Sequence, residues 1–286
     1  MTLMVSTASG QNVNTLHMDI QRGLDAVPGT FAVVFKPLDG GSGVMINERE
    51  MFHAASTMKT PVMIEVFRQV DAGRLSLDDS LIVRNEFKSI VDGSPFSLDL
   101  GDDSDDSMYK RIGGKASVRE LICQMITVSS NLATNILIEA VGAKEVNATM
   151  RTLGAHDIEV LRGVEDGKAF EKGMNNRTSA YDLAIILEAI ADGRAASRSS
   201  CAEMVDILLA QRFKDIIPAL LPTGVKVAHK TGSITGVEHD SGIVFLPDGR
   251  RYILVLLSKD LKDADKGTKA LAGVSKRIHD YMMETR

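Results

Sequence analysis

Ser56 stands three residues before Lys59 in the stretch Phe52-His53-Ala54-Ala55-Ser56-Thr57-Met58-Lys59-Thr60-Pro61, where an extended run turns into an apolar helix. Residues i and i+3 share a helix face, so the spacing predicts that the Lys59 amine hydrogen-bonds the Ser56 hydroxyl. A lone serine is a weak nucleophile near neutral pH, and a neutral amine beside it can take its proton during attack on a carbonyl. The positive end of the helix favours the neutral lysine, and its free N–H groups favour the oxyanion that attack creates. Ser107-Met108-Tyr109-Lys110 repeats the spacing. It lies in an acidic polar stretch with no strand before it and no apolar helix after it, and carries no expectation of chemistry.

Two further motifs could join this pair. Ser129-Ser130-Asn131 breaks the apolar pattern between two helices, and polar groups buried there need partners. Either serine could cap the second helix. Lys230-Thr231-Gly232 ends a strand and is followed by Ser233. Between these motifs, residues 156–177 form a long segment of little periodicity that holds Glu165, Asp166, Glu171, Asn175 and Asn176. A loop this long in a compact chain is functional or disordered. The six histidines are scattered, and His229 and His239 lack ligand spacing. No metal and no cofactor is expected, and no glycine-rich phosphate loop follows a strand.

The elements that must hold these residues follow from periodicity. Val13, Leu16, Ile20, Leu24 and Val27 predict an amphipathic first helix that stops before Pro28-Gly29. Thr30–Lys36 and Gly43–Asn47 read as a hairpin through Pro37-Leu38-Asp39-Gly40-Gly41. Met63, Phe67 and Val70 mark the buried face of the helix after Ser56, which ends at Gly73. The stretch from Leu75 to Ile112 is irregular, and its acidic part from Asp99 to Asp106 reads as a solvated loop without function. Ser117-Val118-Arg119-Glu120 is a capping box for a helix through Leu121, Ile122, Met125 and Ile126. Helices follow over Leu132–Val141, Lys144–Leu153 and Thr178–Asp192. Strands are expected over Val225–Gly232, Ser241–Leu246 and Arg251–Ser258, the last two joined through Pro247-Asp248-Gly249. Leu271, Val274, Ile278 and Met282 form the stripe of a C-terminal helix. Strands thus sit at both ends of the chain around a helical block. The expected fold is α+β: one antiparallel sheet flanked by the terminal helices, from residues 1–58 and 210–286, beside a helical lobe over 59–209.

A chain of 286 residues with 44% apolar content can bury a sizeable core. Its net charge of −5 and its lack of basic runs give no expectation of nucleic acid as a partner. Residues 1–20 hold no apolar core of the length that an export signal needs, and no segment is expected to span a membrane. The expectation is a cytoplasmic protein or a mature form, acting as a monomer. Two cysteines make no disulfide framework, and Cys123, on the apolar stripe of a predicted helix, is expected to be a buried thiol.

In their order and spacing, Ser56-Thr57-Met58-Lys59, Ser129-Ser130-Asn131 and Lys230-Thr231-Gly232 resemble the motifs of the penicillin-recognising serine hydrolases, most closely the class A β-lactamases. The resemblance runs from about Val27 to Tyr281 and includes Gln69-Val70-Asp71-Ala72-Gly73 and Ile126-Thr127-Val128. It implies a five-stranded β-lactamase/transpeptidase-like sheet, a small β-lactam substrate, and a periplasmic or secreted setting. It also implies roles. Ser56 would carry the acyl group with Lys59 as proton acceptor or relay, and the backbone N–H groups of Ser56 and Ser233 would bind the oxyanion. Ser129 would protonate the departing ring nitrogen. Asn131 would hold the substrate amide and the Lys59 amine, while Lys230, Thr231 and Ser233, beside Gly232, would bind the substrate carboxylate. Glu165 would activate the water that releases the acyl group, with Glu171 as rival. The chain departs from the pattern in two places. Glu165-Asp166-Gly167-Lys168-Ala169 has no asparagine at its end, and Ser130 replaces the usual aspartate. Deacylation is therefore the step in question. The alternatives are a penicillin-binding protein or sensor that stays acylated, or an esterase or D-Ala-D-Ala peptidase on the same Ser–Lys pair.

Overall fold

The computed structural model describes residues 12–285. Helix α1 (Val13–Asp25) leads into strand β1 (Thr30–Pro37), which pairs antiparallel with β2 (Val44–Ile46). The short β3 (Phe52–His53) then precedes a 3-10 turn, Ala55–Met58, and helix α2 (Lys59–Asp71). The irregular stretch carries two-residue and three-residue strands: β4 (Ser80–Ile82), β5 (Phe87–Lys88), β6 (Pro95–Phe96) and β7 (Lys115–Ser117). Strand β4 pairs with β7, and β5 with β6. Helices α3 (Val118–Thr127), α4 (Asn131–Val141) and α5 (Ala143–Thr152) follow. Then come α6 (Gly167–Glu171), β8 (Arg177–Thr178), α7 (Ala180–Ala191) and α8 (Arg198–Leu209). The chain closes with β9 (Lys226–Ile234), β10 (Val237–Phe245), β11 (Arg251–Lys259) and α9 (Ala264–Glu284).

The main sheet has five antiparallel strands in the order β2-β1-β11-β10-β9. Its central strands are apolar on both faces, because side chains alternate across a strand and both faces are covered. Phe31, Val33 and Phe35 of β1 join Tyr252, Leu254 and Leu256 of β11 against Leu16, Ile20 and Leu24 of α1 and Leu271, Val274 and Ile278 of α9. The intervening Ala32, Val34, Ile253, Val255 and Leu257 face a second core built from α2, α3, α4, α5, α7 and α8. Helix α2 runs through that core with residues 59–67 all buried. Burial on every side explains why its apolar pattern is nearly continuous.

Several expectations need adjusting. The capping box holds on one side: the Ser117 hydroxyl accepts from the Glu120 N–H at 3.2 Å. Helix α8 has a thin stripe, Cys201, Met204 and Leu208, and a polar first turn, which hid it in the sequence. Strand β10 begins at Val237, before Ser241, because the polar Glu238, His239 and Asp240 lie within the ladder. Cys123 is half-buried at the border of the α3 stripe, and Cys201 is the buried thiol; both are free. The long loop over 156–177 is closed at its neck, where Glu159 and Arg177 exchange backbone hydrogen bonds of 2.9 and 3.0 Å. The Asn176 Oδ1 accepts from the backbone N–H of Leu161 and of Arg162. Among the described residues, no helix is long and apolar enough to cross a membrane.

Candidate active site

Ser56 lies in the 3-10 turn between β3 and α2, against strand β9. The preceding Ala55 has φ 44°, a left-handed conformation that non-glycine residues adopt at a cost. Ser129 (φ 60°) and Glu165 (φ 63°) share it. Three of the five such residues among those described thus belong to three of the four sequence segments expected to do chemistry. Strain concentrated in this way is characteristic of a site that the surrounding fold overdetermines.

The turn is tied to its surroundings. The Ala55 N–H donates to His53 Nδ1 at 3.0 Å, and the Ala54 N–H donates to the Asn176 carbonyl at 2.9 Å. Buried His239 accepts at Nδ1 from the Ser258 N–H, so Nε2 carries the proton and donates to the His53 carbonyl at 2.9 Å. Burial pushes the His239 pKa down to about 4, which keeps the ring neutral. On the other side, a Cβ at Gly232 would sit 3.0 Å from the Ser56 nitrogen and 3.1 Å from the Thr57 nitrogen. The glycine of Lys230-Thr231-Gly232 is what lets β9 approach the nucleophile turn this closely.

Lys59 is fully buried at the start of α2. Its Nζ donates to the Ser129 carbonyl at 2.6 Å, the Ser129 Oγ at 3.1 Å and the Asn131 Oδ1 at 2.9 Å. This corrects the expected bond from Lys59 to Ser56: all three ammonium donors are taken by the second motif. Burial lowers the Lys59 pKa to about 7, with the Asp103 and Glu165 carboxylates opposing the fall. Fully buried Lys230 donates to the same Ser129 Oγ at 3.0 Å and to the Thr231 carbonyl at 2.8 Å. Burial, and then the Lys59 charge, push its pKa well down. With both oxygen lone pairs of Ser129 accepting from lysines, its own proton is left to donate into the cleft. The next residue, Ser130, is the α4 N-cap and accepts from the Ala133 N–H at 3.3 Å. Of the two serines, Ser130 is therefore the cap, and Ser129 faces the two lysines.

Asn131 links this group to the long loop. Its Nδ2 donates to Glu165 Oε1 at 3.0 Å, and Glu165 Oε2 accepts from the Asp99 N–H at 2.9 Å. Burial raises the Glu165 pKa, and these hydrogen bonds pull against the rise. The cleft in front of Ser56 has two arms, both lined by Ser56, Ser104 and Ser233. One arm, of about 600 Å³, is lined by Asn131, Glu165 and Phe170. The other, of about 350 Å³, is lined by Ser129, Thr231, Gly232 and Glu238. Glu171 is exposed at the end of α6 and lines neither arm. Ala169 is fully buried, so no polar side chain stands where the sequence lacks its asparagine. The Ser233 hydroxyl is not free to meet a substrate carboxylate: it donates to Glu238 Oε1 at 2.9 Å.

A profile of the Beta-lactamase enzyme family matches residues 15–282. The chain belongs to the beta-lactamase enzyme family. It is 25% identical over 251 residues to the extended-spectrum beta-lactamase PER-1 of Pseudomonas aeruginosa, covering 84% of this chain and 79% of that one. Among solved structures, a beta-lactamase from Sphaerobacter thermophilus DSM 20745 is 28% identical with a TM-score of 0.79, covering 92% of this chain and 96% of that one. PBP-A is also 28% identical, with a TM-score of 0.81 over 96% and 98%. The fold is that of the beta-lactamases, and a hydrolase of β-lactamase or penicillin-binding type is the function that family membership supports.

One residue at the heart of this β-lactamase-family site carried no expectation. Asp103, in the acidic loop read as solvated, accepts from the Asn131 N–H at 2.9 and 3.0 Å and from the Leu132 N–H at 3.0 Å. It satisfies orphan donors at the start of α4, where a negative charge is favoured. It thereby brings to this helix end the charge that Ser130 lacks. Its charge also supports the Lys59 ammonium, so Asp103→Asn should lower the Lys59 pKa. The acid limb of the acylation rate should then move down by roughly one pH unit. Stopped-flow acylation against pH in a Glu165→Ala background reads this shift without titration of Glu165. An unmoved limb would show that Asp103 is a helix cap and nothing more.

Proposed function

We propose that the chain is a class A-type serine β-lactamase that opens the β-lactam amide through an acyl-enzyme on Ser56, as a monomer. The observation that carries this reading is the position of Glu165, which lines the same cleft as Ser56 and is joined through Asn131 to Lys59. A pKa near 7 divides Lys59 between its two forms at neutral pH. An ammonium has three donors and a neutral amine two and a lone pair, so deprotonation releases one of the three partners, and the amine must turn from it toward Ser56 to accept the Ser56 proton. The carbonyl oxygen becomes an oxyanion between the N–H groups of Ser56 and Ser233. The Ser129 proton passes to the departing nitrogen and is replaced from Lys59 or Lys230. Water then attacks the ester, with Glu165 taking its proton, and the bond from the acyl carbon to Ser56 Oγ breaks as a proton returns to Ser56.

A second reading is a penicillin-binding protein that acylates and stalls. The buried Ala169 supports it, since the loop position four residues after Glu165 supplies no amide of its own to help fix the water. PBP-A, one of the similar structures, is also known as a mutant in acyl-enzyme complex with penicillin-G. A time course of a chromogenic cephalosporin in excess over enzyme separates the two. Sustained linear turnover is expected. A burst of one equivalent followed by a stall would overturn the β-lactamase reading in favour of the penicillin-binding one.

A further inference from the structure

The smaller arm of the cleft has the wrong charge for the task that the family resemblance gives it. Three carboxylate residues, Asp215, Glu238 and Asp265, line it, and no lysine or arginine is among the described residues that do. Lys59 and Lys230, which both reach Ser129, are buried behind the wall, and Lys230 spends hydrogen bonds on Ser129 and Thr231. Glu238 lies directly across the ladder from Ser233. Its backbone is pinned on both sides: the Glu238 N–H donates to Ser258 Oγ at 2.9 Å, and Ser258 Oγ donates to the Glu238 carbonyl at 2.6 Å. The Ser233 hydroxyl proton points at the Glu238 carboxylate, so this pair turns acceptors, not donors, toward whatever enters. Half-buried, the carboxylate is poorly screened from an anion beside it.

We propose that Glu238 sets the charge preference of this arm, disfavouring a free carboxylate beside Ser233 and favouring acyl substrates that carry an ester or amide there. This rests on the acyl-transfer reading of the site and names its substrate class. No bond to Glu238 forms or breaks; it acts through charge and through its hold on the Ser233 proton. A substrate amide N–H would find two acceptors in the arm, whereas a carboxylate would meet a like charge with its hydroxyl donor already engaged.

The test is a matched pair, one chromogenic cephalosporin as the free acid and as its methyl ester, with wild type, Glu238→Gln and Glu238→Asp. The ratio of kcat/KM for acid over ester is the readout, because a general loss of folded enzyme lowers both and leaves the ratio alone. In Glu238→Gln the ratio should rise by about tenfold, a size typical of removing one charge interaction in a partly buried site. Glu238→Asp, which keeps the charge, should stay close to wild type. An unchanged ratio in Glu238→Gln overturns the proposal. Intact-protein mass with Glu165→Ala added to each variant, so that any acyl-enzyme accumulates, reports on the underlying reading separately. Adducts with both forms at an unchanged ratio remove only the role of Glu238, while no adduct with either form overturns acyl transfer and this proposal together.

Discussion

Ser56→Ala is expected to abolish covalent adduct formation and to lower turnover of a cephalosporin by about four to six orders of magnitude, as removal of a nucleophile does in other serine hydrolases. The fold should tolerate the change. The turn is held by the Ala54 and Ala55 N–H groups and by Gly232 packed on its backbone, not by the Ser56 hydroxyl. Alanine keeps the Cβ, so the thermal midpoint should stay within a few degrees of wild type. Lys59 also keeps all three of its partners, since none is Ser56. Mass spectrometry after incubation with penicillin checks the result. A stable adduct in Ser56→Ala would identify another nucleophile, with Ser129 the nearest hydroxyl to both lysines, and would sink the assignment of Ser56.

The parts of this architecture that were legible in the sequence are those set by local period or by fixed spacing. The continuous apolar runs of β1 and β11 and the stripes of α1 and α9 are consequences of two covered sheet faces, and they place both chain ends in one sheet. Two of the three motifs were legible because each sits where a helix begins, whereas Lys230-Thr231-Gly232, expected to end a strand, lies inside β9, which runs on to Ile234. What stayed hidden depends on contacts between segments far apart in the chain. Asp103 looks like any acid in a polar run, and its value comes only from the α4 end it reaches, 28 residues on. The single hint was Ser130, a place with a missing charge. Glu238 was hidden because Glu238-His239-Asp240 reads as polar loop. In the fold these residues are a strand whose polar groups have partners: Ser233 for Glu238, the His53 carbonyl for His239, and His229 for Asp240. The Lys59–Ser56 bond was expected from i/i+3 geometry, and lost to three better-placed acceptors on the facing motif.

Glu165→Ala should separate the two halves of the reaction. The side chain touches two donors, the Asn131 amide and the Asp99 N–H. Glutamine would therefore turn its own NH₂ against one of them, which makes alanine the cleaner substitution. Asn131 retains the Asp102 carbonyl as an acceptor at 3.3 Å and Lys59 as a donor. The Glu165 charge holds the Lys59 pKa up, so its removal lowers that pKa and raises the neutral fraction at pH 7. Acylation should accordingly persist, without loss from this source. Release of the acyl group needs a base beside the ester, and losing one costs about two to four orders of magnitude. The expected result is a burst of one equivalent and a Ser56 adduct that survives for as long as deacylation is blocked. Exposed Glu171, outside both arms of the cleft, should be replaceable by alanine without that effect. Wild-type turnover by Glu165→Ala would place the deacylating base elsewhere, and the link through Asn131 would then serve only to hold the long loop against α4.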